Sequence, residues 1–452
     1  MKILYDSIPY ELHSKIEKWL DELVSDDGKL YEAYLQTVSD IEQLENYAKE
    51  LVESGSPQDL KTASNVGYAV NTIKDTDILS FLSRKSILPK YGFPVDSVEL
   101  FTSPASYGFQ STSKLRLSRD LAIAIAEYAP DSEIVADGKL YKSRYIKLPP
   151  RKNHALIEHT FAVCTNPECG CINTALNRSE IKGRCRICNS EVEEMGSYII
   201  PQYGFVSEIR SKNATTKKPD RTYRGDVHYI GNSVGMTEEF TINDVDISVT
   251  KTKDDELLIM NRTPFYMCRS CGYAVRKKGG INEISRFSKE QHRTTEGRPC
   301  ANKTFDKVYL GHELKTDVAI ISISKKFEKD QALSVLYALL EGVSAYYSIE
   351  RKDISGCLYY SRSGGDLHTV FVLYDTVPGG AGHVSRIASG SADGMKGVLK
   401  EAYKVVADCT CGGEDGNGAC YSCLCNYENQ RVHDRLNRGL AKKYLGEIWG
   451  EN

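Results

Sequence analysis

Long hydrophobic runs are missing from this chain. Nowhere do about eighteen apolar residues follow one another, so the sequence predicts no membrane-spanning helix. The opening stretch, MKILYDSIPYELHSKIEKWL, turns polar too soon for a secretory signal. Also missing is an excess of charge of one sign. Fifty-eight Lys and Arg against 61 Asp and Glu leave a net charge of -3. Any contact with nucleic acid or anionic lipid must then be local. There is no GxxxxGK[ST] phosphate loop and no acidic box beside one, so nucleotide hydrolysis is not expected of this chain. Repeats of solenoid length and low-complexity tails are absent too.

What is present is enough to fold. A length of 452 residues suggests two to four compact units, and 41% apolar residues suffice for packed cores. Fourteen cysteines are the chief chemical resource. In a long chain without a signal, cysteines in close pairs read as metal ligands in a reducing cytoplasm rather than as disulfides.

The chain reads as an α+β protein in four parts. Residues 1–90 form a helical segment: Leu12, Ile16, Trp19, Leu20 and Leu23 recur at helical spacing, and Leu35, Val38, Ile41 and Leu44 continue it. ESGSPQ interrupts the pattern and LPKYGFP ends it. Residues 91–160 form a small β-rich domain. There LRLSRDLAIAIAEYA is a helix or a strand pair, and SEIVADGKLYKSRYIKL is a hairpin turning at Asp137-Gly138. Residues 161–312, broken by glycines and cysteine pairs, form two zinc-ribbon-like modules. Residues 313–452 form a mixed α/β domain: DVAIISISKKF as a buried strand, a helix over 330–347, then the strands DISGCLYY and HTVFVLYD.

Three cysteine groups have the spacing of zinc knuckles, in which a tight turn presents two ligands of a tetrahedron. The first holds Cys164, Cys169, Cys171, Cys185 and Cys188, five thiols for four places. Cys169 is preferred to Cys171 because glycine follows it. The second is Cys268 and Cys271 with His292 and Cys300; His312 is the alternative fourth ligand. The third is Cys409, Cys411, Cys420 and Cys423, with Cys425 able to replace a neighbour. Cys357, alone in a strand, reads as a small apolar residue. All three sites look closed, with no position for water, and closed zinc sites are structural. Three structural zinc ions are expected.

Other features compete for a function. YDTVPGGAGHVSRIAS passes from strand to probable helix through glycines, which suits either an anion-binding turn or a tight connection. Asp366, His368, Asp375 and His383 lie close in sequence and give the rival reading, a metal-dependent nuclease. Between Arg210 and Arg224 six cations (Arg210, Lys212, Lys217, Lys218, Arg221 and Arg224) face one acid, Asp220. Arg431, Arg435, Arg438 and Lys442 are spaced to share one helical face. Either set suits sequence-independent phosphate contacts or a solvated surface.

YDTVPGGAGHV followed by CTCGGEDGNGACYSC resembles the zinc-binding C-terminal domain of superfamily 2 DEAD/DEAH-box DNA helicases of the mitomycin-repair type. That domain also occurs in a companion subunit of the DISARM anti-phage system. Pro378, Gly379 and Gly380 match the family's turn, and Cys409, Cys411, Cys420 and Cys423 match its four cysteines. The resemblance extends over roughly residues 80–445, with the turn-to-cysteine segment its most specific part. It implies a non-catalytic zinc-binding accessory domain or subunit that binds DNA and works with a superfamily 2 motor, in cis or in trans. Its setting would be DNA repair or anti-phage defence. The motor itself is not in this sequence, so ATPase and unwinding are not carried over. A protein-binding scaffold is the remaining alternative.

Overall fold

In a computed structural model of the chain, the described residues are 25, 28–56, scattered positions between 59 and 82, 97–102, 117–149, 156, 158–175, 181, 183–217, 219–220, 225–231, 235–261, 263–276, 292–363, 366–388 and 392–449. The chain divides into two compact units. One takes in residues 1–95, 105–111 and 149–154, and the other takes in the remainder.

In the first unit, α1 (Lys29–Glu53) realises part of the helical pattern. Val38, Ile41 and Leu44 are half-buried, whereas Leu35 is exposed. The helical expectations for residues 1–24 and for most of 57–96 lie outside the described residues.

The second unit begins with β1 (Ser97–Phe101), β2 (Ser118–Asp120) and α2 (Leu121–Glu127). The ambiguous LRLSRDLAIAIAEYA is therefore both, a short strand running into a helix. Alanine alternating with Leu and Ile favours helix, and Asp120 caps it by accepting the Ala122 N–H at 2.9 Å. The hairpin of β3 (Glu133–Ala136) and β4 (Lys139–Ile146) turns where expected. Asp137 (φ 48°) and Gly138 (φ 67°) supply the two left-handed residues of a two-residue turn. With β8 (Phe205–Ser207) these strands make a sheet ordered β2-β1-β8-β4-β3, and β9 (Lys212–Asn213) pairs with β4.

A larger sheet carries everything else. Its path is β10 (Asp226–Tyr229), β12 (Val245–Met260), β15 (Asp306–Ile323), β7 (Val192–Ile199), β5 (Glu158–Cys164) and β6 (Ile172–Ala175). β11 (Met236–Ile242) pairs with β12. β13 (Phe265–Met267) pairs with both β14 (Ala274–Arg276) and β15. β17 (Asp366–Asp375) pairs with β15 and with β16 (Ile354–Ser363).

The 18-residue strand β15 is the tie. Its first part pairs with β13 and, in parallel, with β7; its last part, Val318 to Ser322, pairs with β17. β15 runs straight through the boundary expected at 312–313. The cysteine-rich middle and the C-terminal α/β region thus share one sheet within one compact unit.

Three helices cover the C-terminal part: α3 (Lys329–Tyr347), α5 (Ala392–Asp408) and α6 (Arg438–Trp449), with the short α4 (His383–Ala388) before α5. α3 starts at a capping box in which Glu328 and Gln331 satisfy each other's backbone N–H. Its apolar face, Val335, Leu336, Leu339, Leu340 and Val343, is fully buried with Ile321, Phe371 and Leu399. Each such side chain contributes roughly 1.5–3 kcal/mol of burial. Gly342 lets α3 and α5 touch, because a Cβ there would run into the Val398 carbonyl and Ala402. The β-α-β-β order read from the sequence is the order found.

Candidate metal centres

Among the described residues three tetrads assemble: Cys164, Cys169, Cys185 and Cys188; Cys268, Cys271, His292 and Cys300; and Cys409, Cys411, Cys420 and Cys423. Within each, the ligand atoms all lie within 4.8 Å of one another. The sulfur separations identify the chemistry. Cys164 to Cys188 is 3.3 Å, Cys169 to Cys185 is 3.8 Å and Cys268 to Cys300 is 3.9 Å. Cys409 to Cys420 and Cys411 to Cys423 are both 3.6 Å. A disulfide needs about 2.05 Å. A tetrahedron with zinc–sulfur bonds of about 2.3 Å has edges of about 3.8 Å. The thiols stand at metal-bridging separation.

The backbone explains how each knuckle closes. After the second cysteine of four close pairs comes a residue in the left-handed region: Gly170 (φ 55°), Asn189 (φ 60°), Gly272 (φ 75°) and Gly412 (φ 73°). That conformation turns the chain back over the sulfurs and favours Gly or Asn. The Gly170 N–H donates to the Asn166 carbonyl, Asn189 to Cys185 and Gly272 to Cys268. The glycine after Cys169 is the signal that favours it over Cys171, and the structure places Cys169 in the tetrad. Cys171 lies outside, its sulfur 3.4 Å from the Ile172 carbonyl and its pKa pushed up by burial. Cys425 is likewise outside and buried. Cys357 is buried in β16 among apolar groups, and its pKa is raised by burial to about 12.

Donors aimed at the sulfurs fit charged thiolates. Ser422 N–H points at Cys420 Sγ and Cys420 N–H at Cys423 Sγ, both at 3.3 Å. Ile187 N–H reaches Cys185 at 3.4 Å, and the Asn302 amide reaches Cys268 at 3.5 Å. The Ser422 N–H is the main cause that lowers the Cys420 pKa to about 7. In the second tetrad His292 is 8% exposed, its ring set between Tyr273 and Phe305 at 5.0 Å each. Its buried Nε2 makes no hydrogen bond. An orphaned imidazole nitrogen beside three thiols has the chemistry of a metal ligand. His312, the alternative ligand, sits in β15 opposite Ile259 and is not in the tetrad.

Two expectations need correction. Arg431, Arg435, Arg438 and Lys442 do not share a helical face. Residues 430–435 form a short 3-10 turn, Leu436 is extended, and α6 starts afresh at Arg438. Arg431 pairs with Asp226, and Arg435 bonds Asp330 through Nε (2.8 Å) and Nη2 (2.6 Å). Arg438 is 4% exposed and donates to the carbonyls of Cys411 (2.9 Å), Val406 (3.0 Å) and Gly413 (2.9 Å). It is a clamp on the third cysteine loop. Beside it, Gly416 and Gly439 meet backbone to backbone, where a Cβ on Gly416 would stand 2.7 Å from the Gly439 nitrogen. Lys442 is exposed on α6.

The second correction concerns the nuclease residues. Asp366 and Asp375 mark opposite ends of β17, nine residues apart, or about 30 Å along a strand. His368 lies with the former and His383 with the latter, so no four-residue site forms. Asp375 is wholly buried, and its carboxylate accepts the N–H groups of Ala381 (2.6 Å), His383 (3.1 Å) and Val384 (2.9 Å). Those amides are the ones a foreign anion would have used, so the glycine-rich turn is closed by an anion of its own. An Asp375→Asn change leaves one amide facing an NH2 group and should cost about 2–4 kcal/mol. Thermal denaturation checks this; an unchanged midpoint would mean the turn does not depend on that carboxylate.

Of the other cationic segment, Arg210, Lys212 and Lys217 are exposed; Lys218, Arg221 and Arg224 lie outside the described residues.

A closed four-thiolate site between a strand-turn-helix unit and a final helix defines a structural zinc-binding domain. Residues 335–424, which include the third tetrad, match the family of the MrfA Zn-binding domain, the domain type the sequence resembles. The chain is also similar to Druantia protein DruE of Escherichia coli (strain UMEA 4076-1), at 22% identity over 489 aligned residues. That alignment takes in 96% of this chain but 25% of DruE, so the chain spans about a quarter of its relative. Among solved structures it is similar to the DUF1998 helicase MrfA bound to DNA, with 12% identity and a TM-score of 0.37. That likeness covers 87% of this chain and 43% of the other.

Proposed function

We propose that this chain is the non-catalytic, zinc-bearing accessory portion of a DNA helicase system, held by three structural zinc ions. It would work with a superfamily 2 motor, in cis or in trans, within the reducing cytoplasm, in DNA repair or anti-phage defence. The observation that carries this reading is the third tetrad. It falls inside the segment matched to a helicase zinc-binding domain, its four places are all filled by protein thiols, and Arg438 clamps its loop from outside. A site with no open position stabilises a shape and does not activate water. No nucleotide-hydrolysis motif occurs in the sequence.

The test is recovery of the tagged chain from its native host. A motor ATPase should co-purify in stoichiometric amount, or reside in the same polypeptide, and the chain alone should hydrolyse no ATP and cut no DNA with magnesium or manganese. Recovery of partners without any motor would favour the scaffold reading instead.

DNA binding, in this reading, is sequence-independent and falls to exposed cations, with Arg210, Lys212 and Lys217 in first place. Changing all three to Gln should lower the log–log salt slope of binding by about 0.7–0.9 for each phosphate no longer neutralised, while zinc content stays constant. An unaltered slope and affinity would remove this segment from the interface.

A further inference from the structure

Between the first cysteine cluster, β10, β16 and the 3-10 turn lies a cavity of about 270 Å³. That is near the lower end of the range of small-ligand sites. Its lining includes five tyrosines, among them Tyr337 from α3 and Tyr360 from β16, the arginines Arg351, Arg431 and Arg435, and the carboxylates Asp226 and Glu428. Burial raises the Tyr337 hydroxyl above its ordinary pKa, while the Arg431 and Arg351 guanidinia oppose that shift. Burial raises Tyr360 in the same way, and Arg435 is among the groups that oppose it.

Each guanidinium is held in place by a carboxylate. Arg351 donates from Nε to Glu341 at 2.8 Å and from Nη1 to the Ile354 carbonyl at 2.9 Å. Arg435 is held by Asp330 and Arg431 by Asp226. A guanidinium has five N–H donors in a rigid fork. Among the described residues, Arg351 Nη2 and Arg435 Nη1 have no hydrogen-bond partner. The cavity therefore combines aromatic rings with oriented, partly uncommitted donors. Aromatic rings suit the π-face of a base and the fork suits phosphate oxygens.

We infer that this cavity binds one unpaired nucleotide, its base against Tyr360 and its phosphate at Arg351 and Arg435. A duplex end cannot enter, because its bases are stacked and paired. The same chemistry is offered by the terminus of a single strand and by a free mononucleotide. In the first case the inference rests on the DNA-handling reading above; in the second it stands without it.

The experiment measures binding of the full chain to four probes: a short single-stranded oligonucleotide with 2-aminopurine at its end, the blunt duplex of the same sequence, dAMP, and inorganic phosphate. Tyr360→Ala should weaken single-strand binding about tenfold, within the range for removal of one base stack, and Tyr360→Phe should restore it. Arg435→Gln should weaken single-strand and dAMP binding alike. Tyr427→Ala, an exposed tyrosine outside the cavity lining, should change nothing. Zinc content and melting temperature serve as the folding check for every variant. Binding of dAMP as tight as the oligonucleotide, with the same dependence on Tyr360, supports the cavity and identifies a free nucleotide as its ligand. Duplex binding that matches single-strand binding and ignores Tyr360 overturns the cavity and leaves the DNA reading standing. Phosphate competing as well as dAMP, or Tyr427→Ala acting like Tyr360→Ala, also overturns it.

Discussion

Stripping the metal from freshly purified chain should unfold the cysteine-rich region of the second unit. Structural zinc contributes about 10–16 kcal/mol of apparent binding free energy per site at neutral pH, the largest single stabilisation available to this protein. Elemental analysis should return three zinc ions per chain before treatment. The consequences should differ between sites. The first tetrad has a small core of its own: Cys164, Cys169, Cys171 and Cys185, with Ile187 and Val192 against them. Changing Cys185 and Cys188 to Ser removes the ligands around which that cluster is built. Residues 164–192 should then become protease-sensitive while β12, β15 and the C-terminal helices stay folded. The third tetrad packs into the main core through Cys423 and its neighbour Leu424, so changing Cys420 and Cys423 to Ser should lower the melting temperature of the whole C-terminal part. A metal count of one or none, or chelation with no loss of structure, would remove the zinc from its proposed place.

Replacing Arg438 should have the next largest effect. Its guanidinium, itself buried, bonds three backbone carbonyls: the buried Val406 of α5, and the less buried Cys411 and Gly413 of the third cysteine loop. Arg438→Met leaves those acceptors without a donor and should cost about 3–5 kcal/mol, since hydrogen bonds to charged groups are worth more than neutral ones. The melting temperature should fall by roughly 4–7 °C, and zinc should leave the third site more readily. Arg438→Lys should restore little, because an ammonium cannot span three carbonyls in the geometry of the planar fork. The outcome separates two roles. A phosphate-binding residue would lose DNA affinity at unchanged melting temperature, whereas a clamp loses stability first.

Much is legible because it is local. The hairpin at Asp137-Gly138 follows from two residues that accept positive φ. The knuckles follow from cysteine spacing and from the glycine or asparagine behind the second thiol, and choosing Cys169 over Cys171 needs nothing more. The α3-β16-β17 order follows from periodicity, since apolar residues at helical and alternating spacing leave few other ways to bury them. Arg438 is misread from spacing for an equally physical reason. Positions i, i+4, i+7 and i+11 specify a face only if the helix is continuous, and the extended Leu436 breaks it. Asp366 to His383 looks like a cluster because sequence distance hides the length of a strand. Asp375 shows the same limit, since a carboxylate preceding a glycine turn reads equally well as a catalytic group or as the anion that closes the turn.

The sequence by itself determined that the cysteines fall into three groups of close pairs with knuckle spacing, and that a strand, a helix and two strands follow one another near the C-terminus. These properties depend on residues a few positions apart, whose geometry the backbone restricts strongly. Only the tertiary structure decided that His292 rather than His312 lies in the second tetrad, and that one strand, β15, joins the cysteine-rich middle and the C-terminal α/β region in a single sheet. It also decided that Arg431, Arg435 and Arg438 each face a different partner. Those outcomes depend on segments tens to hundreds of residues apart meeting in space. What a buried cation or carboxylate does is fixed by the group it meets there, and no local pattern records that meeting.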